Sequence, residues 1–326
     1  MISVWLGSPL ASESLKVATF AAPLSREGPG LLLRDLVKAS DAQITAIELA
    51  IAQADADVLV LTDFDFDANG HAADALIANL EHRGTLYRHS FALEPNAGQA
   101  TGFDLDGNGK KGEPRDAQGY GRFLGDGGLL VLSRCPLALA EDHSARLWRD
   151  LPLTRMPPET PDAIKAVQRL SSSGHWVLDV DCGPTFQLAV FAATPPVFDG
   201  EEERNDRRNA DEITLWTTWA SLRPTPFVIA GNANLDPHKG EGYHEAITSL
   251  LEQPTLQDPL PDLDTAFWPP EKGGNLRVSY VLPSKHFDIL DAGIIHNTQI
   301  GAHALVWIEI SAAASKNKSA ETTLSP

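Results

Sequence analysis

The feature that constrains this chain most is a series of short apolar runs rich in Val, Ile, Leu and Phe, many of them bounded by Gly, Pro or Asp. They are "LKVATFA" (15–21), "DVLVLTDF" (57–64), "GLLVLSR" (128–134), "HWVLDVD" (175–181), "TFQLAVFAA" (185–193), "PFVIAG" (226–231), "LRVSYVLP" (276–283) and "HALVWIEI" (303–310). Runs of this length and type read as strands. Helical periodicity lies in "DAQITAIELAIAQAD" (41–55), with Ser40 or Asp41 as N-cap, in "HAADALIANLEHR" (71–83) and in "DEITLWTTWASL" (211–222). The order opens β-α-β-α and then turns strand-rich with long loops, which fits an α/β sandwich of sheets flanked by helices. Residues 94–127 form a Gly/Asp-rich loop of a length that is usually functional or ion-stabilised.

A chain of 326 residues, 43% hydrophobic, can bury one large α/β or α+β domain or two small ones. Its net charge of −18 argues against a nucleic-acid partner, because that affinity comes largely from Lys and Arg neutralising phosphates. The same field disfavours an anionic membrane, and no apolar run reaches spanning length. A small-molecule or protein ligand is the partner class left. Cys135 and Cys182 are either one disulfide, in an oxidising compartment, or two core thiols, the commoner arrangement in a chain this long. The opening "MISVWLGSPLASES" has an apolar stretch without a basic flank, which leaves export open. Residues 1–14 are expected to form an extension, 15–311 the domain, and the polar 312–326 a disordered tail.

Seven segments carry a resemblance: "LSREGPGLLLRDL" (24–36), "LTDFDFD" (61–67), "GFDLDGNG" (102–109), "TPPVFDG" (194–200), "ERNDRRNADEI" (203–213), "NLRVSYVLPS" (275–284) and "AHALVW" (302–307). In this order they resemble a bacterial, often secreted, branch of the endonuclease/exonuclease/phosphatase superfamily. The resemblance implies the four-layered α/β/β/α fold of deoxyribonuclease I over about residues 15–310. It also implies hydrolysis of phosphoric esters with divalent cations, and a periplasmic or secreted protein, or a cytoplasmic one if the N-terminus is as given.

Carried over position by position, the resemblance implies a depleted site. The first strand ends on Ala21 where the family has Asn, and Asp63 stands at the metal-binding Glu. Gly127 replaces a Tyr, Ala192 and Ala210 replace His, and Ser279 and Ala302 replace Asp. In "VIAGNANLDP" (228–237), Asn232 replaces the water-activating Asp while Asn234 is kept; His303 is kept as well. One carboxylate and one amide make a poor site for Mg2+ or Mn2+, which would serve only if activity remains. Asp65 and Asp236 are the candidate substitutes, but alternation with Phe64 and Phe66 places Asp65 on one strand face with Asp63 and Asp67. The readings are a pseudo-hydrolase whose cleft binds a ligand or protein, a metal-dependent phosphodiesterase or phosphatase rearranged around Asp63, Asn234, Asp236 and His303, or an interaction protein with a collapsed cleft.

Outside that set, "DLDGNGKKGEPRD" (104–116) places Asp104, Asp106 and Asn108 at the alternating spacing of a Ca2+ loop. Arg115 sits at the closing position, so Asp116 would complete a looser structural site; the other reading is an acidic turn held by its own side chains. The G-x-G-x-x-G at Gly107, Gly109 and Gly112 lacks the strand and helix of a dinucleotide site. Arg204, Arg207 and Arg208 are either a phosphate clamp or a solvated helix start. His175 with Trp176 reads as a packed strand pair, and His71, His238 and His244 as surface residues.

Overall fold

The computed structural model describes residues 14–312 apart from 184, 199 and 201. In chain order the elements are β1 (Leu15–Leu24), α1 (Leu31–Lys38), α2 (Ala42–Ala54), β2 (Val58–Phe64), α3 (His71–His82) and β3 (His89–Phe91). After the long loop come β4 (Gly128–Ser133), β5 (Leu137–Asp142), α4 (Asp162–Lys165), β6 (His175–Asp181), β7 (Thr185–Ala192), α5 (Arg204–Ser221) and β8 (Phe227–Asn232). The chain ends with α6 (His244–Leu251), β9 (Ala266–Phe267), β10 (Asn275–Leu276), β11 (Ser279–Pro283), β12 (Phe287–Ile295) and β13 (Leu305–Ala312). The expected extension over 1–14 and tail over 312–326 fall almost wholly outside the described residues.

Alternation along the strands sorts their apolar side chains into layers. In β1 and β2, Val17, Val58 and Val60 turn to one face, and Ala18, Phe20, Leu59 and Leu61 to the other. The second set packs under α1, α2 and α3, against Leu32, Leu36, Ile47, Ile51 and Leu76. The first set meets Trp176, Leu188, Val190, Val228 and Val281 of a second sheet. The far face of that sheet, including Val177, Phe191 and Ile229, lies under α5 and α6 through Ile213, Trp216 and Ile247. The result is the expected α/β/β/α sandwich, closed by apolar burial on three interfaces.

One sheet runs β12-β13-β1-β2-β4-β3 and the other β11-β8-β7-β6-β5. Each holds one parallel pair, β1 with β2 and β7 with β8. The C-terminal ends of these two pairs position the site, as crevices at strand C-termini do in α/β folds.

Three departures from expectation have physical causes. Helix α5 starts at Arg204, two turns earlier than its apolar periodicity, because its buried face there carries Arg208, Asn209, Asp211 and Glu212 in place of aliphatic residues. Strands β5 and β12 are sheet-edge strands with many exposed positions, so neither has an apolar run to announce it. Cys135 and Cys182 form a disulfide, with Cα atoms 5.1 Å apart, rather than two core thiols. Antiparallel pairing of β5 with β6 sets Leu137 opposite Val180, and two residues further on the same register brings Cys135 to Cys182. Of the two N-cap candidates for α2, Asp41 takes the role, its carboxylate accepting from the N–H groups of Gln43 and Ile44.

Candidate functional site

Where β2 leaves its sheet it bulges. Thr62 pairs with Leu129 and Phe64 with Gly128, so Asp63 is the extra residue, and its φ is +65°. Bulges re-aim side chains beside functional sites. The bulge breaks the expected common face of Asp63, Asp65 and Asp67. Asp65 is buried and accepts from the N–H groups of Arg26 (2.8 Å) and Gly127 (3.1 Å). Asp67 accepts from the N–H groups of His71 and Ala72 at the start of α3. Gly127 has φ +64°, and a Cβ there would sit 3.1 Å from Asp63 Oδ1, so this position is closed to any larger residue without rearrangement.

On the facing sheet, β8 ends at Asn232, which pairs across the ladder with Ser279. Asn232 Oδ1 accepts from the N–H of Asn234 at 3.1 Å, and its Nδ2 donates to Asn234 Oδ1 at 3.0 Å. Asn234 Nδ2 then donates to the carbonyl of Ala193 at 2.8 Å. Backbone partners thus fix both amide orientations. Asn234 itself sits at φ +51°, a left-handed conformation that asparagine tolerates.

These positions surround an open cavity of about 610 Å3, so the cleft is not collapsed. Ala21, Asp63, Gly127, Ala192, Asn232, Asn234 and His303 all line it. Ala210 instead lies on the buried face of α5, in the core, and Ser279 is buried opposite Asn232 in the ladder. Ala302 contributes its carbonyl to Phe267 N–H and is not a lining residue. Asp236 does not line the cavity, and its oxygens accept from the N–H groups of His238, Lys239 and Arg277.

Electrostatics at the floor disfavour charge. Asp63 opens onto the cavity's solvent but lies deep between the sheets, and that burial, with Asp65 and Asp126 nearby, pushes its carboxyl up to about 8. His303, edge-on to Trp268 at 5.0 Å, is pushed by burial down to about 4 and is neutral. Its Nδ1 and the hydroxyl of Thr62 are buried without partners among the described residues.

The three arginines do not act together as a clamp. Arg208 is buried and donates to the carbonyls of Arg169, Leu170 and Ser171, tying α5 to the loop before β6. Arg207 pairs with Glu203 and the carbonyl of Glu202. Arg204 lines the cavity and donates to the carbonyl of Leu105. Sequence reasoning misses the cation that does face the cavity, Arg115, which is exposed and lacks a hydrogen-bond or ion-pair partner among the described residues. It also misses Glu212, whose carboxylate accepts from Ser172 and Thr194 N–H and so braces two cavity walls.

In the acidic loop, carboxylate oxygens of Asp104, Asp106 and Asp116 lie within 4.8 Å of one another. Asn108 does not add its oxygen, which accepts from Lys110 N–H, and its Nδ2 donates to Asp106 and Glu113. Asp104 accepts from the N–H groups of Gly107, Asn108 and Gly109, and Asp116 from Leu105 and Glu113. The loop is therefore held by its own side chains while still presenting three carboxylates. His175 is fully buried, stacked on Trp216 at 5.5 Å, as a packed residue.

The chain matches the endonuclease/exonuclease/phosphatase family model over residues 31–300. No curated protein matches it. Among solved structures it is similar to an endonuclease/exonuclease/phosphatase from Beutenbergia cavernae, at 16% identity and TM-score 0.56, over 92% of this chain and 72% of that one. Sphingomyelinase C from Streptomyces griseocarneus matches at 16% identity and TM-score 0.52, over 91% and 99%. The human Nocturnin catalytic domain with bound sulfate matches at 15% identity and TM-score 0.53, over 93% and 96%. These likenesses carry the fold, and the family model carries membership: the chain belongs to the endonuclease/exonuclease/phosphatase family.

Proposed function

We propose that this protein is a pseudo-hydrolase: a family member that keeps the fold and an open cleft and uses them to bind rather than to hydrolyse. The observation that carries this reading is the lining of the cavity. Seven positions aligned with the family's working residues converge there, and Asp63 is the one carboxylate among those seven. A hard divalent cation needs several oxygen ligands. Here Asp63 stands beside the amides of Asn232 and Asn234, which hydrogen-bond to each other, and one carboxylate with two neutral amides is a poor donor set for Mg2+ or Mn2+. The water-activating carboxylate is an amide, and a general base is worth roughly 10²–10⁴-fold in rate.

The acidic loop is the better candidate for an ion. Asp104, Asp106 and Asp116 are hard oxygen donors close enough to share one Ca2+, whose role would be to hold the loop. The Cys135–Cys182 bridge supports an oxidising, periplasmic or secreted setting.

A metal-dependent phosphodiesterase or phosphatase remains the second reading. Asp63, Asn234 and His303 do share an open cavity, which favours it. The experiment is turnover of bis-p-nitrophenyl phosphate with Mg2+, Mn2+ or Ca2+, beside the restored variant Ala21→Asn/Asn232→Asp/Ser279→Asp/Ala302→Asp/Ala192→His. Activity confined to the restored variant supports the binding reading. Comparable activity in the unmodified chain supports the second.

A further inference from the structure

Beside its polar groups the cavity carries a set of small apolar residues. Ala21 stands in β1 just before its register shift, Ala192 ends β7 and Ala193 follows it, and Ala97 and Ala117 continue the lining from the long loop. At the rim, Tyr120 and Phe198 are 67% and 77% exposed. Phe198 has φ +63°, a strained conformation for a bulky residue of the kind that gathers at binding sites. Methyl groups below and rings above suit an apolar body, whose burial is worth roughly 25 cal/mol per Å2.

Charge in the cavity is arranged the other way up from a site that draws an anion to its floor. At the bottom stands the Asp63 carboxyl, with Asp65 and Asp126 close enough to act on it, so the floor offers an anion no counter-charge. Arg115 lies on the wall, solvent-exposed, with no carboxylate paired to it among the described residues. The acids sharing that region are Asp106, hydrogen-bonded to Asn108, and Glu202. Arg204 lines the same cavity and donates to the carbonyl of Leu105, and Arg208 is held by three backbone carbonyls.

We propose that the cavity takes a small amphipathic organic anion, an aryl carboxylate or sulfonate, with its ring against the alanines and its acid group at Arg115. A volume of about 610 Å3 holds a one- or two-ring acid with room for solvent. At the floor, the amide of Asn232 and the protonated carboxyl of Asp63 offer polar contacts that demand no counter-charge. This inference deepens the binding reading above and rests on it.

The test is calorimetric titration of the full chain with naphthalene-2-sulfonate, with inorganic phosphate as the charge-only probe and 2-naphthol as the ring-only probe. The expected result is saturable 1:1 binding of the sulfonate, at least tenfold tighter than either other probe. Arg115→Gln should weaken it about tenfold, the loss of one charge-assisted contact. Ala192→Trp, which fills the floor, should abolish it, with circular dichroism confirming the fold. Should that variant fail to fold, Arg115→Gln decides alone, since its side chain is exposed. The inference is overturned by no saturable binding, by phosphate binding as tightly as the sulfonate, or by an affinity indifferent to Arg115→Gln. Those results leave the pseudo-hydrolase reading standing, because that reading fails on phosphodiester turnover and not on ligand affinity.

Discussion

Asn232 donates its side-chain N–H to the Oδ1 of Asn234 at 3.0 Å, and Asn234 donates in turn to the carbonyl of Ala193. The two amides are hydrogen-bonded to each other and to the backbone. An aspartate at 232 would set a carboxylate oxygen against Asn234 Oδ1 with nothing between them. Asn232→Asp is therefore expected to destabilise the protein by about 1–3 kcal/mol in chelator, the cost of a hydrogen bond replaced by facing acceptors. Mg2+ or Mn2+ should recover more stability in the variant than in the parent. Urea denaturation with and without metal measures both.

Asp63 gives a signed pH dependence. Its carboxyl, raised from 3.8 to about 8, keeps a proton in the folded state that the unfolded chain has already lost. Its contribution is full below pH 4 and declines as pH rises through 8. His175 and His303, lowered from 6.5 to about 3 and about 4, act oppositely: their contribution is full above pH 6.5 and declines below it. The slopes oppose each other between pH 4 and 6.5; above 6.5 the Asp63 slope continues to 8, joined up to about 7 by that of the buried Glu212 carboxyl, which has the same sign. The urea midpoint should fall from pH 6.5 to 8.5, and Asp63→Asn should flatten the fall. Parallel profiles for the two proteins would contradict this assignment.

The acidic loop predicts protection by Ca2+. Lys110 and Lys111 sit exposed between Asp104 and Asp116, where trypsin can reach them. Millimolar Ca2+ should slow cleavage there severalfold, and Asp104→Asn should remove the protection, since hard-cation affinity follows the number of carboxylates. Peptide mapping against time reads the effect.

Reducing the Cys135–Cys182 bridge, which closes a 47-residue separation, should cost up to about 4 kcal/mol on the chain-entropy model. The measurement is the urea midpoint of Cys135→Ser/Cys182→Ser against the oxidised parent. Equal midpoints would mean that the two cysteines are not joined in solution.

The layers are legible in the sequence because a period of two leaves its mark on every central strand. Val58 and Val60 go to one face and Leu59 and Leu61 to the other, and the runs that carry them stand out. The site is legible only where a side chain's role survives one dimension. The four residues that the resemblance singles out, Asp63, Asn232, Asn234 and His303, line one cavity, yet alternation misplaces Asp65, because a single bulged residue at Asp63 inverts every face that follows. Arg208 reads as surface charge and proves to be a buried tie between α5 and the 169–171 carbonyls, since helix periodicity is invisible when the inner face is polar. Arg115 reads only as the missing ligand of a Ca2+ loop. Its place on the cavity wall follows from how the 94–127 loop folds back, which no local pattern encodes.

The pseudo-hydrolase proposal stands or falls on turnover in this cleft. The most direct measurement is the rate of bis-p-nitrophenyl phosphate hydrolysis by the unmodified chain and by Asp63→Ala, side by side, in saturating Mn2+. A protein that binds without hydrolysing leaves both rates equal to the protein-free background. A rate well above background that disappears in Asp63→Ala would contradict the proposal.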